Sequence, residues 1–136
     1  MEEINLKDVV YSALFVDEPS KLKAMFPPVH VNTFYHHSTI AFKPTPQEVS
    51  QLAVGKKINL PIIGRITTDK VDALLVNNPL SKNEFPHITL STAAGVTPVK
   101  SNDAFKIHKE LIKRFSTPQY IETTLGVFVN GKAVTN

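Results

Sequence analysis

Apolar positions alternate in some segments of the chain and recur every three or four residues in others, which predicts strands and helices in the order β-α-β-α-β-β-β-α-β-β. Val9 to Val16 is an unbroken apolar run of β-branched and aromatic residues, so we expect a central, buried strand there. Further strands are predicted at 34–42, 57–66 and 71–76, from His87 onward, and at 120–129 and 132–135.

Capping signals set the boundaries of the predicted helices. A first helix is expected after Asp17 or Glu18, either of which can cap it, and is expected to end before Pro27-Pro28. Thr45-Pro46-Gln47-Glu48 has the order of a capping box with proline at the first helical position, which predicts a second helix from Pro46 to about Val54. Ser101-Asn102-Asp103 is expected to cap a third helix that ends before Pro118. Its predicted apolar face consists of Ala104, Ile107, Leu111, Ile112 and Phe115.

Two pairs of strands are predicted to form hairpins. The strands at 57–66 and 71–76 would turn near Thr68-Asp69-Lys70, and Asn130-Gly131 is a signal for a tight turn between the last two strands. Pro61 and Gly64 are expected to make the strand at 57–66 irregular or to place it at a sheet edge.

Composition narrows the class of protein. The 136 residues fit a single domain over 1–136, long enough to bury a core. The chain has no cysteine, which excludes disulfides, thiolate zinc sites and cysteine nucleophiles. A net charge of +3 without an arginine-rich block favours a small anionic ligand over a long duplex.

Localisation is predicted from what the sequence lacks. Glu2 and Glu3 stand where a signal peptide would carry basic residues, and no apolar stretch approaches the roughly 18 residues of a membrane span. We therefore expect a cytoplasmic protein that has no membrane association and needs no obligate protein partner.

Two short motifs carry the candidate chemistry, His37-Ser38-Thr39-Ile40 and His87-Ile88-Thr89-Leu90. Both have the pattern His-x-Thr-aliphatic and both fall in predicted strands. Because side chains alternate along a strand, each histidine points to the same side as the threonine two positions later. A single such motif is ordinary strand composition, but two copies at the same place in a repeated pattern favour a function.

The chemistry that fits this pair is cleavage of a phosphodiester without a metal. Imidazole titrates near neutral pH, so His37 and His87 can share the roles of general acid and general base, and the sequence does not say which takes which role. The hydroxyl groups of Thr39 and Thr89 would bind the phosphate oxygens and stabilise the developing charge. No cofactor and no metal are expected.

A rough internal repeat extends around the motifs, since each motif strand runs into a loop with proline and then a capped helix. The repeat predicts an α+β fold with a pseudo-twofold relation, in which two antiparallel sheets flanked by helices surround a central cleft and each sheet carries one motif at its centre.

Other residues near the motifs are weaker candidates for substrate contact. They are Tyr35, which could stack on a base, His36, which should face away from His37 in a regular strand, and Lys43 and Arg65, which could hold phosphate. A zinc site made of His30, His36 and His37 is disfavoured because no carboxylate stands at ligand spacing.

The two motifs, HSTI and HITL, resemble the paired signatures of the 2H phosphoesterase superfamily, which includes LigT-like RNA phosphoesterases and cyclic phosphodiesterases. The resemblance spans roughly Val9 to Val129. It implies a bilobal fold around a central cleft, a hydrolase activity, catalytic roles for His37 and His87, and phosphate binding by Thr39 and Thr89.

Three functions remain open from the sequence. The first is a metal-independent phosphodiesterase that opens a 2′,3′-cyclic phosphate at an RNA end or in a related cyclic nucleotide. The second is the same chemistry directed at a 2′-5′ or cyclic oligonucleotide immune signal, as a viral or phage protein of immune evasion would need. The third is a nucleotide-binding or RNA-binding module without catalysis.

Overall fold

The structure, a computed structural model, describes residues 5–136. Its elements follow in the order β1 (Val9–Val16), α1 (Pro19–Met25), β2 (Asn32–Thr33), β3 (His37–Phe42), α2 (Pro46–Ser50), β4 (Lys57–Thr67), β5 (Val71–Val76), β6 (His87–Thr92), α3 (Lys100–Ile107), β7 (Lys113–Val129) and β8 (Lys132–Val134). Short 3-10 turns at Leu6–Asp8 and Lys109–Leu111 precede β1 and β7. Apart from the two-residue β2, the predicted order of elements is confirmed.

Six of these strands form a closed antiparallel barrel in the part of the chain that the structure describes. The order around the barrel is β1, β3, β6, β5, β4 and β7, and β7 pairs with β1 to close it. The closing ladder runs from Val9 opposite Val129 to Val16 opposite Thr123. The short strands β2 and β8 pair with β6 and β7 respectively.

The predicted bilobal α+β fold of two sheets is therefore wrong. The strands β3 and β6, expected at the centres of separate sheets, are neighbours in one sheet. The physical reason is that β1 has two partners, since it pairs with β3 on one side and with β7 on the other. This double pairing joins the first and last long strands of the chain and closes one sheet into a barrel.

Apolar side chains fill the inside of the barrel, so the cleft cannot lie there. Each of the six strands contributes residues that are 7% exposed or less, among them Leu14, Ile40, Leu60, Leu74, Ile88, Leu90 and Ile121. Since side chains alternate along a strand, the neighbours of these residues face outward. The histidines and threonines of both motifs flank Ser38 and Ile88, which are buried, and therefore lie on the outer face of the barrel.

Local signals that depend on a few residues are confirmed. Thr45 caps α2, and the full capping box is present, with the Thr45 hydroxyl accepting from the Glu48 amide while the Glu48 carboxylate accepts from the Thr45 amide. Asn130 and Gly131 have φ angles of 53° and 77°, which is the left-handed pair that a tight hairpin turn needs. The hairpin of β4 and β5 turns at Thr68, as predicted.

Other boundaries differ from the prediction. The helix α2 ends at Ser50 rather than near Val54. Ser101, Asn102 and Asp103 lie inside α3, whose N-cap is Val99. For β4, where an irregular strand or an edge strand was expected, the irregular alternative is confirmed, because its register shifts between Ile62 and Gly64 while it pairs with both β5 and β7.

The largest difference lies at the end of α3, where the predicted helix gives way to the long strand β7. Ile107 and Leu111 are exposed rather than on a buried helix face. Lys113 and Arg114 pair with Arg65 and Gly64 of β4. Pairing with an existing strand outweighs the local helix pattern here.

A buried ion pair fixes the segment that leads into β2 and β3. Asp72 on β5 is fully buried and accepts two hydrogen bonds from the Arg65 guanidinium, at 2.8 and 2.9 Å. The same carboxylate accepts from the Ser91 hydroxyl and from the Val29 amide. Arg65 also donates to the carbonyl of Pro27 at 2.9 Å, so the loop before β2 is tied to three strands.

None of the helices within residues 5–136 is long and apolar enough to cross a membrane. Glu2 and Glu3, on which the expectation of a missing signal peptide rests, lie outside the described residues.

Candidate active site

The two motifs meet on the outer face of the barrel, where β3 pairs with β6. The ladder between these strands consists of Ser38 opposite Ile88, which are the middle residues of the two motifs. Antiparallel pairing at this point brings the histidine of each motif toward the threonine of the other. The four motif residues predicted to act together are thus brought together.

They line a cleft of about 500 Å³. Its walls come from β1, β3, β6, β7 and α3 and from the segments that precede β3, β6 and α3. The lining residues other than the motif residues are Tyr11, Phe34, His36, Phe42, Asn83, Pro98, Val99, Asn102 and Phe128. Phe42 is 68% exposed and Val99 is 65% exposed. The cleft therefore presents apolar surface to solvent around a polar floor.

No charged residue is among the described residues that line this cleft. Its polar groups are three imidazoles, the hydroxyls of Tyr11, Thr39 and Thr89, and the amides of Asn83 and Asn102. An anion in the cleft would be bound by neutral hydrogen-bond donors and by any histidine that becomes protonated.

His37 lies in a stack of aromatic rings. Its imidazole stacks on Tyr11, with ring centroids 4.5 Å apart, and Tyr11 stacks in turn on Phe128 at 5.0 Å. Nδ1 of His37 is 2.8 Å from Nδ1 of His36, and the two rings are perpendicular. The Tyr11 hydroxyl is 3.4 Å from the same nitrogen. His36, which was expected to face away from His37, is instead its closest polar contact.

The surroundings of His37 disfavour its charged form. Burial, followed by the nearness of His36 and His87, lowers the pKa of His37 to about 3. Burial also lowers the pKa of His36, and burial raises the pKa of Tyr11 to about 12, so that its hydroxyl keeps its proton at neutral pH. With this pKa, His37 is neutral at pH 7.

His87 has a defined tautomer. Its Nδ1 lies 2.8 Å from the carbonyl of Phe85, and because a carbonyl only accepts, Nδ1 carries a proton. The neutral ring therefore has its lone pair on Nε2. Burial lowers the pKa of His87, and the hydrogen bond to the Phe85 carbonyl partly offsets this. The ring also packs against Phe105 of α3, at 5.4 Å between centroids.

The two threonines differ in how they are held. The Thr89 hydroxyl is 2.9 Å from the hydroxyl of Ser101, a fully buried residue in the first turn of α3. Within residues 5–136 no hydrogen bond is made by the Thr39 hydroxyl, although the Thr39 carbonyl accepts from Ser81. Thr89 is thus oriented by a neighbour, whereas Thr39 is free to turn toward a ligand.

Three of the weaker candidates lie outside the cleft. Tyr35 is buried in the core, and its hydroxyl donates to the carbonyl of Phe26 at 2.6 Å. Arg65 is held by Asp72 on another part of the barrel, and this pairing raises the pKa of the guanidinium. Lys43 lies at the rim, with its ammonium 5.5 Å from the ring centre of Phe42. Of these three, only Lys43 is near the candidate site.

Sequence reasoning missed Tyr11, Phe85, Ser101 and Phe128. Tyr11 and Phe128 come from strands far from the motifs in sequence, and no local pattern says that β1 pairs with β3 on one side and with β7 on the other. Ser101 was assigned to a helix cap, and its contact with Thr89 depends on how α3 sits on the barrel. The carbonyl of Phe85 precedes His87 by two residues and carries no side-chain signal.

Histidines elsewhere do not join the cleft. The His30 ring bonds the carbonyl of Thr68 at 2.8 Å, and His108 lies near Glu110 beyond the end of α3. A second depression, of about 650 Å³, lies on that side of α3 and contains neither motif. Among the described residues no three His, Cys, Asp or Glu side chains form a group that could hold a metal ion.

Comparison with the models of known protein families gives no match, and no curated protein matches the chain. The site is therefore interpreted from its own geometry.

Proposed function

We propose that the chain is a metal-independent phosphodiesterase that acts on a nucleotide or RNA-type phosphodiester by acid-base catalysis with His37 and His87. The observation that carries this proposal is the convergence of both His-x-Thr motifs on one cleft, although they are 50 positions apart in the sequence (87 minus 37). Two imidazoles and two hydroxyls around one space are the groups that transfer at phosphorus requires.

His87 is assigned as the general base. Its Nδ1 proton is engaged by the Phe85 carbonyl, which leaves the Nε2 lone pair to accept a proton. This proton comes from the attacking water, or from a ribose 2′-hydroxyl if the reaction is an internal transfer. The attacking oxygen then forms a bond to phosphorus.

His37 is assigned as the general acid. It gives its Nε2 proton to the ribose oxygen as the bond between that oxygen and phosphorus breaks. Its surroundings in the protein lower its pKa to about 3, so the acid form depends on the substrate. A bound phosphodiester brings a negative charge close to the ring, and that charge raises the pKa of the imidazole.

Thr39 and Thr89 are assigned to the non-bridging oxygens. The Ser101 hydroxyl can donate to Thr89 Oγ1, which leaves the Thr89 proton for the phosphate. Both hydroxyls stabilise the charge that grows on these oxygens in the transition state.

The lining supports a substrate with one negative charge and an aromatic base. No Lys or Arg is among the described residues that line the cleft, so the repeated charges of a polyphosphate would find little counter-charge there beyond Lys43 at the rim. The exposed rings of Phe34 and Phe42 offer faces on which a nucleobase can stack. Both features favour a cyclic phosphodiester of a nucleoside, or an oligonucleotide bound at one linkage.

The test is turnover in EDTA of 2′,3′-cyclic mononucleotides, linear RNA, 2′-5′ oligoadenylate and cyclic di- and trinucleotides. We expect turnover of at least one of them, and its loss in His37→Ala and in His87→Ala. The matched control is His108→Ala, which removes an exposed histidine outside the cleft and should leave turnover unchanged. Activity that survives both cleft substitutions, or that requires a metal, overturns the proposal. Binding of these ligands without turnover by the wild type indicates a binding module instead.

A further inference from the structure

The contact between His36 and His37 is not used by the mechanism above. The two Nδ1 atoms are 2.8 Å apart, which is hydrogen-bond distance, and the rings are at 90° to each other. A hydrogen bond between two ring nitrogens needs one proton donor and one lone pair. The pair of neutral rings therefore shares one proton between its Nδ1 atoms.

Tyr11 does not compete for this position. Its ring is stacked on the face of His37 with 24° between planes, and its hydroxyl is 3.4 Å from Nδ1. The lone pair of an imidazole nitrogen lies in the plane of the ring, so a stacked neighbour is poorly placed to bond it. His36, whose Nδ1 is the nearer atom at 2.8 Å, is accordingly the hydrogen-bond partner of His37.

His37 also lacks the partner that a charged imidazole usually has. No carboxylate is among the described residues that line the cleft, and the other titratable groups that face the pair are Tyr11 from β1 and His87 from β6. Phe15 of β1 and Phe128 of β7, which pack on the His36 ring, are apolar. Among the residues that the structure describes, the acceptor nearest to Nδ1 of His37 is Nδ1 of His36, at 2.8 Å against 3.4 Å for the Tyr11 hydroxyl, so His36 is placed to receive the Nδ1 proton when His37 takes a second proton.

We propose that His36 is a positioning residue that accepts the Nδ1 proton of His37 and thereby stabilises His37 in the acid form that protonates the leaving oxygen. The inference rests on the proposed function, since it gives His36 a role through His37. His36 is exposed, whereas His37 is partly buried, so His36 can take the tautomer with its own proton on Nε2 and exchange that proton with solvent.

The charge on His36 determines whether it stabilises or destabilises a proton on His37. A neutral His36 stabilises the first proton that the pair takes up, through the hydrogen bond. A protonated His36 repels a charge on His37, so a second proton is opposed. The pair therefore works as a unit that carries one positive charge, and its apparent pKa belongs to both rings.

The substitution His36→Phe separates the packing of the His36 ring from its role as a hydrogen-bond acceptor. It keeps a ring to pack on Phe15 and Phe128 and removes the acceptor. His36→Asn is the rescue variant, because its side-chain carbonyl oxygen can accept in place of Nδ1. His108→Phe is the control for replacing an exposed histidine by phenylalanine.

The readout is the ring-nitrogen NMR titration of His37 in inorganic phosphate buffer, which does not require turnover. With phosphate bound, His36→Phe should lower the pKa of His37 by about one pH unit, because losing the hydrogen-bond acceptor outweighs losing the repulsion by which His36 lowers this pKa. His36→Asn, which can accept and carries no charge, should restore it. A pKa of His37 that is unchanged or higher in His36→Phe overturns the inference.

Kinetics give a second readout with whichever substrate is turned over. His36→Phe should lower kcat about tenfold with little change in KM, and the alkaline limb of the pH profile should move to lower pH, since that limb reports loss of the acid. An effect on KM as large as the effect on kcat, together with an alkaline limb that does not move, would contradict the assignment. If the titration shows the coupling and no substrate is cleaved, the proposed function fails while the pairing of the two histidines stands.

Discussion

At His37, burial makes the protonated ring costly, and this cost should appear in the stability of the protein. The pKa of His37 falls from 6.5 to about 3 on folding. Between these values the unfolded chain binds a proton that the folded protein does not, so stability rises with pH and is lost as the pH falls below 6.5.

At about pH 5 this single group should lower the free energy of unfolding by about 2 kcal/mol relative to pH 7. Urea unfolding at both pH values measures the change. His37→Asn has no group that titrates there, and should lose correspondingly less stability over the same range. Equal losses in the two proteins would show that His37 is already protonated in the folded state.

The two threonines allow a test in which activity and stability separate. Thr39→Val and Thr89→Val keep a β-branched side chain and remove the hydroxyl, so each should lower turnover about 10²-fold through the loss of one donor to the phosphate. Thr89→Val also deprives the buried Ser101 hydroxyl of its partner, which should cost about 1–3 kcal/mol of stability. Thermal unfolding and kinetics on both variants measure this. An equal loss of stability in both, or unchanged turnover, is inconsistent with these roles.

At the scale of elements, the site depends on how the loop before β2 is held against the barrel. Asp72, which is fully buried, receives hydrogen bonds from β4, β6 and this loop. Asp72→Asn removes the charge that neutralises Arg65 and should lower the free energy of unfolding by at least about 3 kcal/mol.

The matched control is Asp103→Asn. Asp103 also faces a cation, but the distance to the Lys100 ammonium is 3.9 Å and both side chains are more than half exposed. Its substitution should change the free energy of unfolding by less than about 1 kcal/mol. Denaturant unfolding of the two variants side by side is the measurement, and equal effects would mean that the Asp72 network does not tie the elements together.

Several elements could be predicted because their signals are local. The capping box at Thr45 and the turn at Asn130 and Gly131 depend on backbone conformations within four residues. The segment 108–117 could not be predicted in this way. Its apolar spacing suits a helix, yet Lys113 and Arg114 are in a strand because β4 lies beside them. These pairings join residues that are 48 (113 minus 65) and 50 (114 minus 64) positions apart in the chain.

At the scale of the whole molecule, the sequence predicted which residues meet but not the architecture that brings them together. Strand alternation placed the histidine and threonine of each motif on one face. The closure of β1 onto β7 gives no local signal, so one closed barrel was mistaken for two sheets. The absence of a local signal for strand pairing also explains why the tyrosine of the site was not predicted. Tyr11 contacts His37 because their two strands pair, whereas Tyr35, only two residues from His37 in sequence, is buried in the core.

The central claim is that the two motifs act as one unit on one phosphate. Its most direct test is kcat/KM for a 2′,3′-cyclic nucleotide in EDTA, compared among the wild type, His37→Asn, His87→Asn and the protein with both substitutions. Each single substitution should lower kcat/KM about 10²-fold or more, and the double substitution should be no worse than the more damaging single one. Losses that multiply in the double variant, or a single variant with wild-type turnover, would contradict the claim.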